Sequence, residues 1–302
     1  MSVAAQLHLA LHRGAAAVIR DYVALTKPRV ILLLEVTTLF AMIVARHGWP
    51  GTELVVATLA GGWLAASGAN AINQWYDRDI DAAMLRTRGR PVPGGRIEPH
   101  SALVFGVALA LGAFVVLFLF ANLLAAVLAE IALLFYVLVY TMWLKRTSAQ
   151  NIVIGGAAGA LPPAVGWAAA TGGLDLTALY LVSIIFFWTP PHFWALALLM
   201  RDDYQRADVP MLPVVAGGHR TRQQIWLFTV VLTVVTALPF VAGLFGLVYL
   251  AGAAALDGAF LAGSFALLLR PSAAATRRLF HYSLLYLAAL FAVMAADRMV
   301  AG

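Results

Sequence analysis

The sequence predicts an all-α membrane protein of nine transmembrane helices with its N-terminus in the cytoplasm. Three observations carry that reading. Of 302 residues, 63% are hydrophobic and only 11% are charged, against about 25% charged in soluble domains. The apolar residues fall in long uncharged runs, and roughly 20 such residues cross about 30 Å of hydrocarbon. The basic residues collect in alternate loops, as the positive-inside rule requires. There is no cysteine, which excludes disulfides and thiolate metal sites. The net charge of +6 belongs to helix ends, so it argues for membrane sidedness and against a nucleic-acid face.

Residues 1–27 read as a cytoplasmic arm, because Arg13, Arg20, Asp21 and Lys27 make it too charged for a secretory hydrophobic region. A mitochondrial presequence is the competing reading, since residues 1–20 carry arginine and no acid. Residues 28–302 read as one polytopic domain. Its spans are expected at about 29–46, 53–73, 101–120, 122–143, 152–170, 178–199, 225–244, 247–269 and 279–297. With the N-terminus inside, 18 of the 20 basic residues face the cytoplasm and only Arg46 and Arg298 lie outside. That asymmetry holds only for an odd number of spans. The alanine- and arginine-rich composition, without an extended presequence, favours a bacterial inner membrane over a mitochondrion.

Two internal loops, 74–100 and 200–222, hold seven of the chain's 14 acidic residues. A loop that only anchors helices would be basic alone, so mixed charge marks a candidate site. In the first loop, positions four apart drift by only about 40° on a helix. Asn73, Asp77 and Asp81 therefore share a face and Asp79 points nearly opposite. Such hard oxygen donors suit Mg²⁺, whose shell substrate phosphates usually help to fill. Arg86, Arg88 and Arg90 follow, and guanidinium forks match diphosphate oxygens. The bland alternative is a solvated helix end with local ion pairs such as Asp77 with Arg78.

In the second region, Pro190-Pro191 is expected to kink its span. His192 follows inside the apolar stretch, either as a buried histidine satisfied by a neighbour or as a contact for substrate or an axial haem ligand. Asp203 is placed to complete the metal site from across the bundle. Lys27, Arg29, Lys145 and Arg146 sit at cytoplasmic helix ends, as anchors or as phosphate ligands. Glu35 and Glu130 lie within spans and need partners; Asp257 and Asp297 receive no role. Metal-bridged carboxylates facing arginines at the mouth of an apolar bundle suit an allylic diphosphate, whose isoprenoid tail would lie between helices away from water.

Leu25-Thr-Lys-Pro-Arg29, Asn73-xxx-Asp77-xxx-Asp81 with Arg86-Thr-Arg-Gly-Arg-Pro91, and Lys145-Arg-Thr with Gln150-Asn151 resemble the intramembrane aromatic prenyltransferase superfamily. Pro191-His-Phe-Trp-Ala-Leu-Ala197 and Asp203-Tyr-xx-Ala-x-Val-Pro-Met-Leu-Pro-Val-Val215 are similar to its haem-farnesylating branch. The resemblance runs from about residue 20 to the last span. It implies a bundle around a central cavity open to lipid, and farnesyl transfer from farnesyl diphosphate to a vinyl group of haem b, with water adding to give haem O. It also implies that Asn73, Asp77, Asp81 and Asp203 bind Mg²⁺-diphosphate, that Arg86 is a diphosphate arginine, and that the product passes to a haem A synthase or to oxidase assembly. Two departures stand out: Ala207 occupies the place of a second aspartate after Asp203, and Tyr140 precedes Lys145 by five residues where quinone-type members have four. Both favour the haem branch over one using 4-hydroxybenzoate or a naphthoate. A haem or isoprenoid carrier with gating loops is the reading from another class.

Overall fold

The computed structural model describes residues 14–301; the part of the expected arm that includes Arg13 lies outside them. The helices are α1 (Ala15–Thr26), α2 (Pro28–Arg46), α3 (Thr52–Tyr76), α4 (Arg78–Ala83), α5 (Pro99–Phe120), α6 (Leu123–Thr147), α7 (Asn151–Ala160), α8 (Pro162–Thr171), α9 (Leu176–Leu199), α10 (Arg201–Arg206), α11 (Leu212–Val215), α12 (Gly217–Val241), α13 (Leu247–Leu269) and α14 (Ala273–Ala301). Among the described residues nine stretches are long and apolar enough to cross a membrane, the fifth being α7 and α8 together. Each overlaps one expected span.

Local chemistry sets the helix ends. Pro28 and Pro99 open α2 and α5, where a missing N–H costs no hydrogen bond. Asn122 caps α6 by accepting from Ala125 N at 2.9 Å, and Asp175 caps α9 by accepting from Ala178 N at 3.1 Å. Pro162 divides the fifth span into two helices. The expected kink in the sixth span leaves the helix unbroken: α9 runs through Pro190 and Pro191 to Leu199.

Lipid tails are as apolar as leucine, so helices associate in the bilayer through close packing and interhelical hydrogen bonds. Both occur here. A methyl group on Gly68 of α3 would stand 2.7 Å from the Gly106 carbonyl oxygen of α5, so these two backbones touch because neither residue has a side chain. On the other side of the bundle, Asp257 accepts from Thr236 Oγ1 and from Tyr286 Oη, each at 2.6 Å, tying α12, α13 and α14. Asp297 caps α13 by accepting from Gly246 N at 2.7 Å and Tyr249 N at 3.0 Å. The two acids left without a role in the sequence thus hold helices together.

One buried cluster gathers side chains of α9, α12, α13 and α14, and another those of α3, α5, α6 and α8. The segments after α3, α6 and α9 meet Lys27 and one another at one end of the bundle.

Candidate active site

The charged end is built around the break between α3 and α4. Asp77 interrupts the helix with φ −83° and ψ 15°. The hydrogen bonds Asp77 N to Asn73 O (2.9 Å) and Asp81 N to Asp77 O (2.7 Å) nevertheless keep the four-residue step. Asn73, Asp77 and Asp81 are buried together, whereas the Asp79 side chain is 62% exposed. The expected division of faces holds despite the break.

Cations from three other segments meet this face. The backbone turns through the left-handed region at Lys27 (φ 53°), and Lys27 Nζ donates to Asn73 Oδ1 at 3.0 Å. Asn73 Nδ2 donates to Asp77 Oδ2 at 2.7 Å and to Thr141 Oγ1 at 3.1 Å. Asp77 Oδ2 also accepts from Lys145 Nζ, and Asp77 Oδ1 from Arg146 at 3.3 Å. Arg146 grips Asp79 through two bonds of 2.7 Å. Arg90 Nη1 reaches both oxygens of Asp81, at 2.9 and 2.7 Å. The bland pairing of Asp77 with Arg78 does not form; Arg78 donates to the Trp75 carbonyl.

The surroundings shift ionisations at this end, those of Lys27 and Asp79 among them. Burial, reinforced by the Arg90 charge, lowers the Lys27 ammonium to about 7. The Arg146 bridge holds the Asp79 carboxyl down to about 2.

Several expected site residues lie elsewhere. Asp203 does not converge with Asp77 and Asp81. Its carboxylate accepts from Leu85 N (3.2 Å), Arg86 N (3.3 Å) and Arg206 (2.9 Å), so it pins the loop that follows the first aspartate group. Among the described residues no three His, Asp or Glu side chains gather as a cation cage. The physical reason is local: each carboxylate is already engaged by one of the chain's own cations. The donors still have the hard-oxygen chemistry of Mg²⁺, which needs only one or two protein carboxylates when phosphates and waters complete its shell. Arg29 is exposed on the first turn of α2, and among the described residues it forms no ion pair with this cluster. Arg86 is exposed too; only its backbone is anchored.

His192 packs between α9 and α14. Its ring stacks on Trp188 (centroids 4.3 Å apart) and Phe280 (5.0 Å), and its Nδ1 lies 2.7 Å from Ser283 Oγ. Ser283 Oγ also lies 2.7 Å from the Phe280 carbonyl oxygen, so one hydroxyl links the imidazole to the α14 backbone. The neighbours Thr189 and Phe193 line the central cavity, while His192 faces Ser283.

That cavity has a volume of about 310 Å³ and begins beside the charged cluster, at Asn70, Tyr136 and Tyr140. Its walls are mostly small or apolar residues of α3, α6 and α7. The five-residue step from Tyr140 to Lys145 has a structural basis. Residues Phe135–Leu144 are wound as a π-helix, and Lys145 N donates to Tyr140 O. A π turn absorbs one extra residue, so Tyr140 stays on the cavity wall while Lys145 reaches Asp77. Sequence reading missed Thr141, which holds Asn73; Asn151, quoted there only within a motif, has a buried amide with no partner among the described residues.

A multi-pass helical protein with a buried cluster of carboxylates and cations over an apolar cavity is the class that fold and site define. The chain belongs to the UbiA prenyltransferase family, whose model matches residues 34–290. It is 52% identical over 282 residues to a protoheme IX farnesyltransferase of Gloeobacter violaceus, covering 93% of this chain and 92% of that one. It is 54% identical to that of Roseiflexus sp. strain RS-1 and 53% to that of Thermus thermophilus, over 96% of this chain in each case. The chain spans about half the length of these last two relatives, 54% and 48%. Among solved structures, a digeranylgeranylglyceryl phosphate synthase superposes with TM-score 0.76 at 18% identity, covering 94% of this chain and 99% of that one. A UbiA homologue of Archaeoglobus fulgidus bound to GPP and Mg²⁺ gives 0.65 at 17% identity, covering 91% and 99%.

Proposed function

We propose that this chain transfers a farnesyl group from farnesyl diphosphate to a vinyl group of haem b, giving haem O after water addition. The observation that carries the reading is the placement of buried carboxylates and their cations at the mouth of an apolar cavity. The acceptor rests on kinship with the protoheme IX farnesyltransferases.

Lys27, Arg90, Lys145 and Arg146 each bind a carboxylate or amide of the cluster and would turn to the diphosphate as it enters, so no charge is left buried without a partner. Mg²⁺, when bound by Asn73, Asp77 and Asp81 with phosphate and water oxygens completing its shell, would neutralise the leaving diphosphate as a Lewis acid. The Asp203 bonds to Leu85 N and Arg86 N hold the arginine loop against the site. The cavity wall keeps bulk water from the allylic carbon while the C1–O bond breaks and the C–C bond to the vinyl group forms. Water then adds to the resulting cation and loses a proton. His192, oriented by Ser283, is the candidate haem contact. It lies outside the cavity lining, so this reading puts the prenyl chain in the cavity and haem on the α9–α14 side. Sidedness follows the basic residues, with the active end at the cytoplasmic face of a bacterial inner membrane and handover to haem A synthesis or oxidase assembly.

Purified protein in lipid, given haem b, farnesyl diphosphate and Mg²⁺ with a chelator control, tests this by mass spectrometry of the extracted pigments. The expected product is haem heavier by farnesyl plus water, absent with chelator. Unchanged haem, with prenylation of 4-hydroxybenzoate or a naphthoate, moves the chain to the quinone branch. Haem retained without any turnover leaves a carrier.

A further inference from the structure

The sequence left Glu35 without a partner, and the fold explains its position without supplying one. Glu35 lines the cavity, its Oε2 is buried, and no hydrogen-bond donor reaches that atom among the described residues. The acid is not a packing staple of the kind Asp257 is, which meets two hydroxyl donors in the same bilayer. Nor does it snorkel to an interface. Its carboxylate lies against Gly62, where a methyl group would stand 3.1 Å from Oε1.

Depth identifies what meets it. Glu35 lies eight residues along α2 from Lys27, about 12 Å at the helical rise. Gly62 lies eleven residues along α3 from Asn73, about 16 Å. The carboxyl is therefore near mid-bilayer, within one turn of the end of the cavity that lies away from the charged cluster. On α3 the lining stops at Gly62, and on α2 it runs one turn past Glu35 to Thr38, where Pro162, whose carbonyl accepts from Thr38, and Val165 of α8 close it. A farnesyl chain of about twelve main-chain carbons extends about 14 Å, and one more isoprene adds about 5 Å.

We infer that Glu35, backed by Gly62, is the floor that sets prenyl-chain length, so that a three-isoprene chain fills the cavity and a four-isoprene chain does not. The inference rests on the reading of the charged cluster as a diphosphate site. A longer chain must press its terminal carbons onto a carboxyl whose Oε2 already has no donor, sealing the whole group from any partner. A shorter chain leaves apolar wall uncovered. The polar floor thus discriminates by penalising the wrong chain as well as by fitting the right one.

The test is a competition. The full chain receives haem b and equal amounts of the two-, three- and four-isoprene diphosphates, and the products are separated by mass. Glu35→Ala is expected to raise the ratio of four- to three-isoprene product about tenfold, in the range a pocket commands when its fit changes by a few atoms. Gly62→Ala pushes the carboxyl into the cavity and shifts product the opposite way, towards the two-isoprene chain. Glu35→Gln keeps shape and polarity, and with them the three-isoprene preference. Wild-type product ratios in both Glu35→Ala and Gly62→Ala would overturn the inference while leaving the site intact. Failure of the unmodified chain to use any of the three diphosphates removes the diphosphate reading itself, and this inference with it. Each alanine variant carries the test independently if the other does not fold.

Discussion

Asp77 and Asp79 stand two residues apart and face opposite environments, which makes Asp77→Asn and Asp79→Asn a paired experiment. Asp77 is fully buried and accepts charge-assisted bonds from Lys145 and Arg146, whose side chains are 12% and 29% exposed. Asparagine keeps one acceptor oxygen but removes the charge, and a charge-assisted bond is about twice as strong as a neutral one. Halving two bonds of about 1.5–3 kcal/mol each, then discounting for the exposed cations, gives a loss near 2 kcal/mol. A domain with about 5 kcal/mol or more of stability stays folded through that loss. Turnover should fall far more, at least about 100-fold, or about 2.7 kcal/mol of barrier, because the buried anion at the mouth disappears. Asp79 bridges only Arg146 at the surface, so Asp79→Asn should cost about 0.5 kcal/mol and leave turnover within about threefold. The assays are thermal unfolding followed by the fluorescence of the eight tryptophans, and initial rates of haem farnesylation. Asp77→Asn turning over at the wild-type rate, or Asp79→Asn failing equally, would refute the assignment of faces.

Three further outcomes follow from the same geometry. Arg90 meets both Asp81 oxygens through Nη1 alone, and Arg90→Lys removes the rest of the planar guanidinium that would meet a diphosphate, so kcat/KM for farnesyl diphosphate should drop about tenfold; unaltered kinetics would reduce Arg90 to its charge. Lys27 is one of only two lysines and titrates at about 7, against about 10.4 for a free side chain. Its labelling by an amine-acylating reagent, followed by peptide mass spectrometry, should therefore rise with a midpoint near pH 7, and a midpoint near about 10 would sink the burial argument. The sign follows: between those values the unfolded chain binds the extra proton, so Lys27 makes the fold more stable as pH rises, while the positive charge it offers a diphosphate fades above about pH 7. His192→Ala should weaken haem b binding about tenfold, roughly 1.4 kcal/mol, with farnesyl diphosphate affinity kept; an identical haem titration would return the ring to its stack between Trp188 and Phe280.

Much of the site was legible because its logic is periodic. The four-residue step of Asn73, Asp77 and Asp81 survives the helix break, since the backbone bonds across Asp77 are kept. Asp79 is outward for the same reason. Pairing was not legible: Arg90 finding Asp81, Lys145 finding Asp77 and Asp203 finding the amides of residues 85 and 86 all depend on which helix ends share one end of the bundle. His192 shows the limit differently. Its depth in an apolar span is plain from the sequence, but which helix it faces depends on how α9 is rotated against α14.

Hydropathy and charge order along the chain were enough to show the membrane class, the nine apolar stretches found among the described residues and the clustering of charge at helix ends, because the bilayer admits only long apolar helices and charges must leave it. Only the packed helices show which carboxylate meets which cation, that Asp257 and Asp297 are ties between helices, that a π-helix reconciles Tyr140 with Lys145, and that Glu35 lines a cavity without a partner for its Oε2 among the described residues. Those outcomes depend on the rotation and depth of one helix against another. That geometry comes from close packing at residues such as Gly62, Gly68 and Gly106, and hydropathy along a single chain carries no record of it.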